Sequence, residues 1–383
     1  MNIEYYKRML EDRVRLRAFR RAIRATVRPG DVVVEIGAGL GTYSFFAVQA
    51  GARRVYAIEA DPEVCRLAMS LAEQNGLADR IQFLRGYSTD IELPERADVA
   101  LFEDYTSFFF SSRIWGLLRD IRSRLLKRDG RLLPCAVDLY VAGSGDPGVS
   151  PDLDLGRARR ERLFGLDFGE IRRLAANLPV RTEVAGRHLL TPPLRCARID
   201  LRSDEGFGFA FTGEARAVRN GFLRGVVGWM DIELAPGLRL SCSPLRPRTV
   251  WGQTIYPFAE PLRVRRRELL KIEMELVFPR GISRYLQRWT VSAGNEYREG
   301  NTFAGLPFSE GSLNGESAST KGKLGPRSRV LLTMLSELRR ETSFGKVAGA
   351  LVKKHPRVFE SREDALATVV RLVPALSSLA GDL

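Results

Sequence analysis

The chain has 383 residues, 44% of them hydrophobic, so two or three domains can each bury a core and a small disulfide-stapled fold is excluded. Its four cysteines, Cys65, Cys135, Cys196 and Cys242, are scattered without a CxxC pair and have only His188 and His355 to assist them, which argues against a zinc site and fits a reducing compartment. A net charge of +14 suits acidic partners, nucleic acid among them, although no specific nucleic-acid motif accompanies the charge.

Residues 4 to 27 read as one amphipathic helix, with Met9, Leu10, Val14, Leu16, Phe19, Ile23 and Val27 near one face, arginines on the other and Pro29-Gly30 as the stop. Basic residues from Lys7 to Arg17 stand where a signal peptide needs an apolar core, and no apolar run reaches membrane-spanning length. The expectation is a cytoplasmic protein with no membrane partner. The basic runs at 13–28 and 263–267 read as solvated faces of a helix and a strand.

From Asp31 to about Ala142, strand-like runs at 32–36, 54–59, 81–85 and 98–103 alternate with helical patterns, the signature of a parallel sheet wound by helices. One helix is framed at 62–74 by Asp61 as N-cap, Pro62 as first helical residue and Asn75-Gly76 as stop; another is expected over 112–127. Beyond Pro134, runs at 137–142, 197–202, 223–233, 248–256 and 268–278 separated by Gly and Pro point to an all-β second domain. The fold class is therefore α/β. A Rossmann-like domain over 31–133 follows an N-terminal helix at 1–30. A β-barrel domain over 134–298 carries a helical insertion at 157–178, a linker fills 299–325, and three amphipathic segments form a helical block at 326–383. The block weakly resembles winged-helix peptide-binding modules; a helix-turn-helix and a plain helical cap fit the pattern too.

Strand 32–36 runs into Glu35-Ile36-Gly37-Ala38-Gly39-Leu40-Gly41, with a helical pattern opening at Thr42. Glycines let a ligand approach the backbone N–H groups of so tight a turn. A dinucleotide site wants its third glycine at position 42, where Thr42 stands. The spacing through Glu35, Gly37, Gly39 and Gly41 is instead that of S-adenosylmethionine sites. Glu59, ending the next strand, supplies a carboxylate for the ribose hydroxyls.

With these landmarks in order, the chain resembles the protein arginine methyltransferase family from its first helix to about residue 295. Met9-Leu10-Glu11-Asp12-Arg13-Val14-Arg15 is similar to the family's N-terminal helix, and the resemblance assigns Arg15 to the cofactor carboxylate. Gly86-Tyr87-Ser88-Thr89-Asp90 resembles the adenine-contacting segment, with Thr89 in place of the family's acid, so that Ser88 or Asp90 is left to contact adenine. Leu163-Phe164-Gly165-Leu166-Asp167-Phe168 resembles the start of a dimerisation arm, which implies a homodimer.

The resemblance places the chemistry at Phe102 to Ser112. The family clamps a guanidinium between two glutamates; the first is Glu103, and the second position is Ser112, which has no charge. Thr249-Val250-Trp251 resembles the family's Thr-His-Trp loop, with Val250 in place of the histidine. Tyr105, Ser112, Val250 and Trp251 are then the expected acceptor pocket and Glu103 the acceptor-side catalytic residue, without a metal. Because both departures fall on the acceptor side, three readings stay open: methyl transfer to a protein or peptide, methyl transfer to a small molecule, and a catalytically silent cofactor-binding scaffold.

Overall fold

Five runs rich in β-branched and aliphatic residues pair in parallel: β1 (Val32–Ile36), β2 (Arg54–Glu59), β3 (Ile81–Arg85), β4 (Ala97–Phe102) and β5 (Leu126–Leu133), in the order β3-β2-β1-β4-β5. This computed structural model describes residues 2–103, 108, 112–149, 166, 168–204, 208–277, 286–305, 325–338 and 342–377. All five residues of β1 are buried, as a central strand covered on both faces requires. Strand order reverses between β1 and β4, so the crevice outside their carboxyl ends is where an open α/β sheet takes its ligand. The connecting helices include α3 (Thr42–Gln49), α4 (Pro62–Gln74) and α5 (Ser112–Asp120).

Both ends of α4 fall where the sequence puts them, and Asp61 caps it by accepting from the Glu63 and Val64 amides at 2.9 and 3.2 Å. Two expectations need correction. The helix expected over 112–127 ends at Asp120 and continues as one wide turn to Leu125, because Leu126 already pairs with Ala97 as the start of β5. The single N-terminal helix is two, α1 (Ile3–Glu11) and α2 (Arg13–Thr26), broken at Asp12. The Asp12 carboxylate leaves the helical path to accept the Arg15 amide at 2.9 Å. On α2, Arg15, Leu16, Phe19, Ala22 and Ile23 are buried at helical spacing.

After β5 the chain becomes antiparallel. One sheet is built from β6 (Ala136–Ser144), β7 (Val180–Thr182), β8 (Leu194–Asp200), β10 (Gly221–Ala235), β11 (Leu238–Ser241) and β12 (Gln253–Val264). A second holds β9 (Phe209–Arg216), β13 (Leu269–Val277), β14 (Leu286–Ala293) and β15 (Glu296–Asn301). The sheets approach where β12 meets β15 and β8 meets β9, with Trp229, Tyr256 and Trp289 buried among the barrel's apolar residues. The strand expected at 248–256 begins only at Gln253; Thr249 to Gly252 form a turn, closed by the Gly252 amide on the Thr249 carbonyl at 3.2 Å. The linker expected from 299 starts later, since Glu299 to Asn301 still belong to β15. Most of the segment 157–178 lies outside the described residues, which include a short helix at Gly169–Ala175.

All of this forms one unit, Met1–Glu316. The other, Ser317–Leu383, holds three helices, Pro326–Leu338, Phe344–Lys354 and Arg362–Ser377, around Met334, Val347, Leu351, Ala365 and Val369. Its described residues include no strand, so the wing of a winged helix is missing among them. His355 caps the second helix there and pairs through Nε2 with Thr333 at 2.8 Å.

Candidate functional site

The glycine turn lies at the carboxyl end of β1. Gly37, Gly39 and Gly41 have φ of +70°, +55° and +74°, a left-handed path that side chains with a Cβ resist by about 1–2 kcal/mol per residue. At Gly41 a Cβ would also stand 3.2 Å from the Phe83 ring. Glu35, 3% exposed, accepts from the Ser44 amide at 2.7 Å and the Ser44 hydroxyl at 2.5 Å. Burial pushes its carboxyl up to about 8, against the opposing pull of those hydrogen bonds. Glu59 accepts the Gly39 amide on one oxygen and the Asp61 amide on the other, both at 2.8 Å. Each oxygen retains acceptor capacity.

Across the crevice, Glu103 follows β4 and meets Arg15 of α2. Arg15 Nη1 donates to both Glu103 oxygens, at 2.8 Å to Oε1 and 2.6 Å to Oε2, and Arg15 Nη2 donates to the Met9 carbonyl at 2.6 Å. Tyr43 of α3 completes the group: its hydroxyl accepts from Arg15 Nη1 at 2.6 Å and donates to Glu103 Oε2. Burial raises the Glu103 carboxyl above the usual carboxylate range, partly offset by the Arg15 charge and by the hydrogen bonds from Tyr43 and Arg15. The Nε–H of Arg15 is buried without a hydrogen-bond partner. A buried guanidinium with a donor to spare, lining the cavity under the glycine turn, fits an anionic ligand group.

Two cavities meet at Glu103. The smaller, under the glycine turn, is lined by Arg15, Glu35, Gly37, Gly39, Tyr43, Glu59 and Glu103, with Tyr5, Tyr6 and Met9 of α1 over it. The larger, of about 880 Å³, is lined by Asp12, Glu103, Arg181, Thr249, Val250 and Trp251 among others. Both are cradled by α1, which contributes Tyr5 and Met9 to each. Asp12 Oδ2 accepts the Val250 amide at 2.8 Å and so ties the helix break to the 249–252 turn. Arg181 donates to the Trp251 carbonyl at 2.8 Å through Nε and to the Val250 carbonyl through Nη2.

The structure thus brings together Arg15, Glu35, Gly37, Gly39, Glu59 and Glu103 around one cavity, and Glu103, Val250 and Trp251 around the other. Ser88 is buried in a turn after β3, with its carbonyl accepting from Arg124, and lines neither cavity. Tyr105 lies outside the described residues, and Ser112 opens α5. Phe108 packs inside the molecule, its ring edge-on to Tyr256 at 5.8 Å between centroids. Tyr43, Asp12 and Arg181 are additions that sequence reasoning missed. Only Asp12, three residues before Arg15, carries a local signal, that of an N-cap. Among the described residues no group of three His, Cys, Asp or Glu is placed to hold a metal, and all four cysteines are free.

Known proteins resemble the chain over most of its length. The family described as the arginine methyltransferase oligomerization subdomain matches residues 140–286, and a TRM5/TYW2 methyltransferase domain matches residues 5–112. A probable protein arginine N-methyltransferase 6 of Arabidopsis thaliana is 27% identical over 321 residues, covering 70% of this chain and 72% of that protein. The protein arginine N-methyltransferase 6 of Xenopus laevis is 29% identical over 279 residues, covering 69% and 80%. Over about two thirds of its length the chain is similar to protein arginine methyltransferases. Among solved structures, the Trypanosoma brucei PRMT1 enzyme-prozyme heterotetrameric complex with AdoHcy matches with a TM-score of 0.69 at 22% identity, over 78% of this chain and 98% of that one. That likeness establishes the fold: a Rossmann-like sheet followed by a barrel, as in the arginine methyltransferases.

Proposed function

We propose that this protein is an S-adenosylmethionine-dependent methyltransferase that acts on a nitrogen of a protein or peptide acceptor, arginine being the acceptor class named for its relatives. The observation that carries the reading is Glu103, a buried carboxylate in the wall shared by a glycine-turn cavity and a second, larger cleft. When bound, the cofactor supplies an electrophilic methyl group on sulfur and leaves as S-adenosylhomocysteine.

The residues suited to holding it are Gly37, Gly39 and Gly41 through the backbone path they permit, Glu59 toward the ribose hydroxyls, and Arg15 toward the carboxylate through its unpaired Nε–H. Glu35 fixes the first turn of α3 through Ser44. On the acceptor side Glu103 accepts a hydrogen bond from the nucleophile and so aims its lone pair, and burial excludes the water that would compete. A guanidinium offers a planar fork of donors, and one carboxylate that already serves Arg15 satisfies only part of it. Arginine acceptors are therefore expected to receive a single methyl group, slowly. Self-association through the region around residues 140–286 and residence in a reducing compartment such as the cytoplasm belong to the same proposal.

The test is transfer of isotope-labelled methyl from S-adenosylmethionine into peptides and a host-cell extract, followed by hydrolysis and mass analysis, with Glu103→Gln as the control. Label on a protein nitrogen that vanishes in Glu103→Gln supports the reading. Label only on small molecules moves the acceptor to a metabolite, and no label from either protein leaves a cofactor-binding scaffold.

A further inference from the structure

The methyl-transfer reading asks one buried carboxylate to do the acceptor-side work, and a lone carboxylate is useful only if its oxygens are held in place. On the Oε2 side, Glu103 meets a hydroxyl that the reading does not employ. Tyr43 is 5% exposed, and its ring lies against Phe19 with 4.3 Å between centroids and 6° between planes. The phenol is therefore fixed by packing on α2 before it meets any polar group. Its oxygen closes a triangle with Arg15 Nη1 and Glu103 Oε2, accepting from the first and donating to the second. The outcome is an unequal carboxylate: Oε2 receives two donors, Tyr43 and Arg15, whereas Oε1 receives one, Arg15 at 2.8 Å.

We propose that Tyr43 is a positioning residue for the acceptor site, clamping Oε2 of Glu103 so that Oε1 is the oxygen presented to the nucleophile. The inference rests on the methyltransferase reading. Arginine cannot do this alone, because its Nη1 contacts both oxygens and so does not distinguish them. A neutral hydroxyl donor also leaves the charge of the Arg15–Glu103 pair balanced, where a second cation would repel an incoming cationic acceptor. The clamp works on the ionised carboxylate, and the charged or titratable groups that act on Glu103 are Arg15, Asp12, Glu35 and Cys242 in addition to Tyr43 itself. Of these, Arg15 and Tyr43 favour the ionised form.

The test is Tyr43→Phe, which keeps the ring and its stacking on Phe19 and removes only the hydroxyl. Binding of S-adenosylhomocysteine, followed by titration calorimetry, is expected to stay within about threefold, because Arg15 remains. The rate of methyl transfer at saturating cofactor is expected to fall about ten- to a hundredfold, the loss of one hydrogen bond to a charged group. The acidic limb of its pH profile should move to higher pH, since the lost donor favoured the carboxylate. Placed on a Glu103→Gln background, Tyr43→Phe should add nothing further, the non-additivity expected of residues that act as one unit.

A Tyr43→Phe enzyme with wild-type rate and pH profile overturns the proposal, as does a rate loss that adds in full to that of Glu103→Gln. Should the wild-type chain transfer no methyl at all, the methyltransferase reading fails on its own. The clamp is then read by carbon-13 titration of the Glu103 carboxyl: an upward shift in Tyr43→Phe retains it, and an unmoved titration rejects it.

Discussion

Arg15 on the second helix and Glu103 after the fourth strand form an ion pair at 2.6 Å in which neither side chain is more than 9% exposed. A pair so deeply buried gains little net stability over an apolar substitute, yet removing one member strands the other. Arg15→Met is expected to destabilise the protein by about 3–5 kcal/mol. The double substitution Arg15→Met with Glu103→Gln should cost clearly less than the sum of the two single changes. Urea unfolding of the four proteins in the cycle measures this directly; strict additivity would mean that the pair is not coupled.

Glu35 makes stability depend on pH. Its carboxyl is raised by burial to about 8 in the folded chain, well above the value of an exposed glutamate, so the folded state holds a proton that the unfolded state releases. Its contribution is fully favourable below about pH 4 and is lost as pH rises through the folded value near 8. Glu59 and Glu103, both of which act on Glu35, push in the same direction. The unfolding free energy of the wild type should therefore fall relative to that of Glu35→Gln between pH 5 and 9, by an amount on the order of a few kcal/mol, with its melting temperature falling in step. Parallel melting curves across that range would refute the assignment.

The third glycine of the turn is constrained twice, by φ and by the Phe83 ring 3.2 Å from where its Cβ would lie. Gly41→Ala is expected to weaken S-adenosylhomocysteine binding about five- to thirtyfold, corresponding to roughly 1–2 kcal/mol of backbone strain. Gly76→Ala is the control. Its φ of +65° gives comparable strain at the end of α4, with nothing within 4 Å of the new methyl, so stability should drop while affinity holds.

Asp12 serves two structures with two oxygens, capping α2 through the Arg15 amide and anchoring the 249–252 turn through the Val250 amide. Asp12→Ala is expected to cost about 1 kcal/mol for the cap. Hydrogen exchange at the Val250 amide should accelerate at least tenfold, and KM for the acceptor should rise with little change in cofactor affinity. Unchanged exchange at Val250 would show that Arg181, which grips the carbonyls of the same turn, holds it alone.

What the sequence made readable was local. The α4 helix carries its cap, its proline and its stop within the segment itself, and the glycine turn carries its conformation in its own residues. The break at Asp12 was not readable as such, because the amide that draws its second oxygen away belongs to Val250. Tyr43 resembles any apolar residue of a short buried helix until Glu103, 60 positions later, is folded beside its hydroxyl. The hairpin of β14 and β15 is a different case: Gly294-Asn295 is a local turn signal, yet the strands it joins end in a polar run that reads as linker. Ser88, expected beside the cofactor, has its carbonyl engaged by Arg124, a partner that sequence spacing does not announce.

The bond between residues 12 and 250 spans 238 positions of the chain. A ribosome adding about 5–20 residues per second finishes the parallel sheet, which ends at Leu133, well before Val250 emerges, a delay on the order of five to twenty-five seconds. During that interval the nascent sheet has its ligand crevice but no fastening for the helix break above it. Synthesis thus separates the completion of the cofactor floor from the locking of its roof.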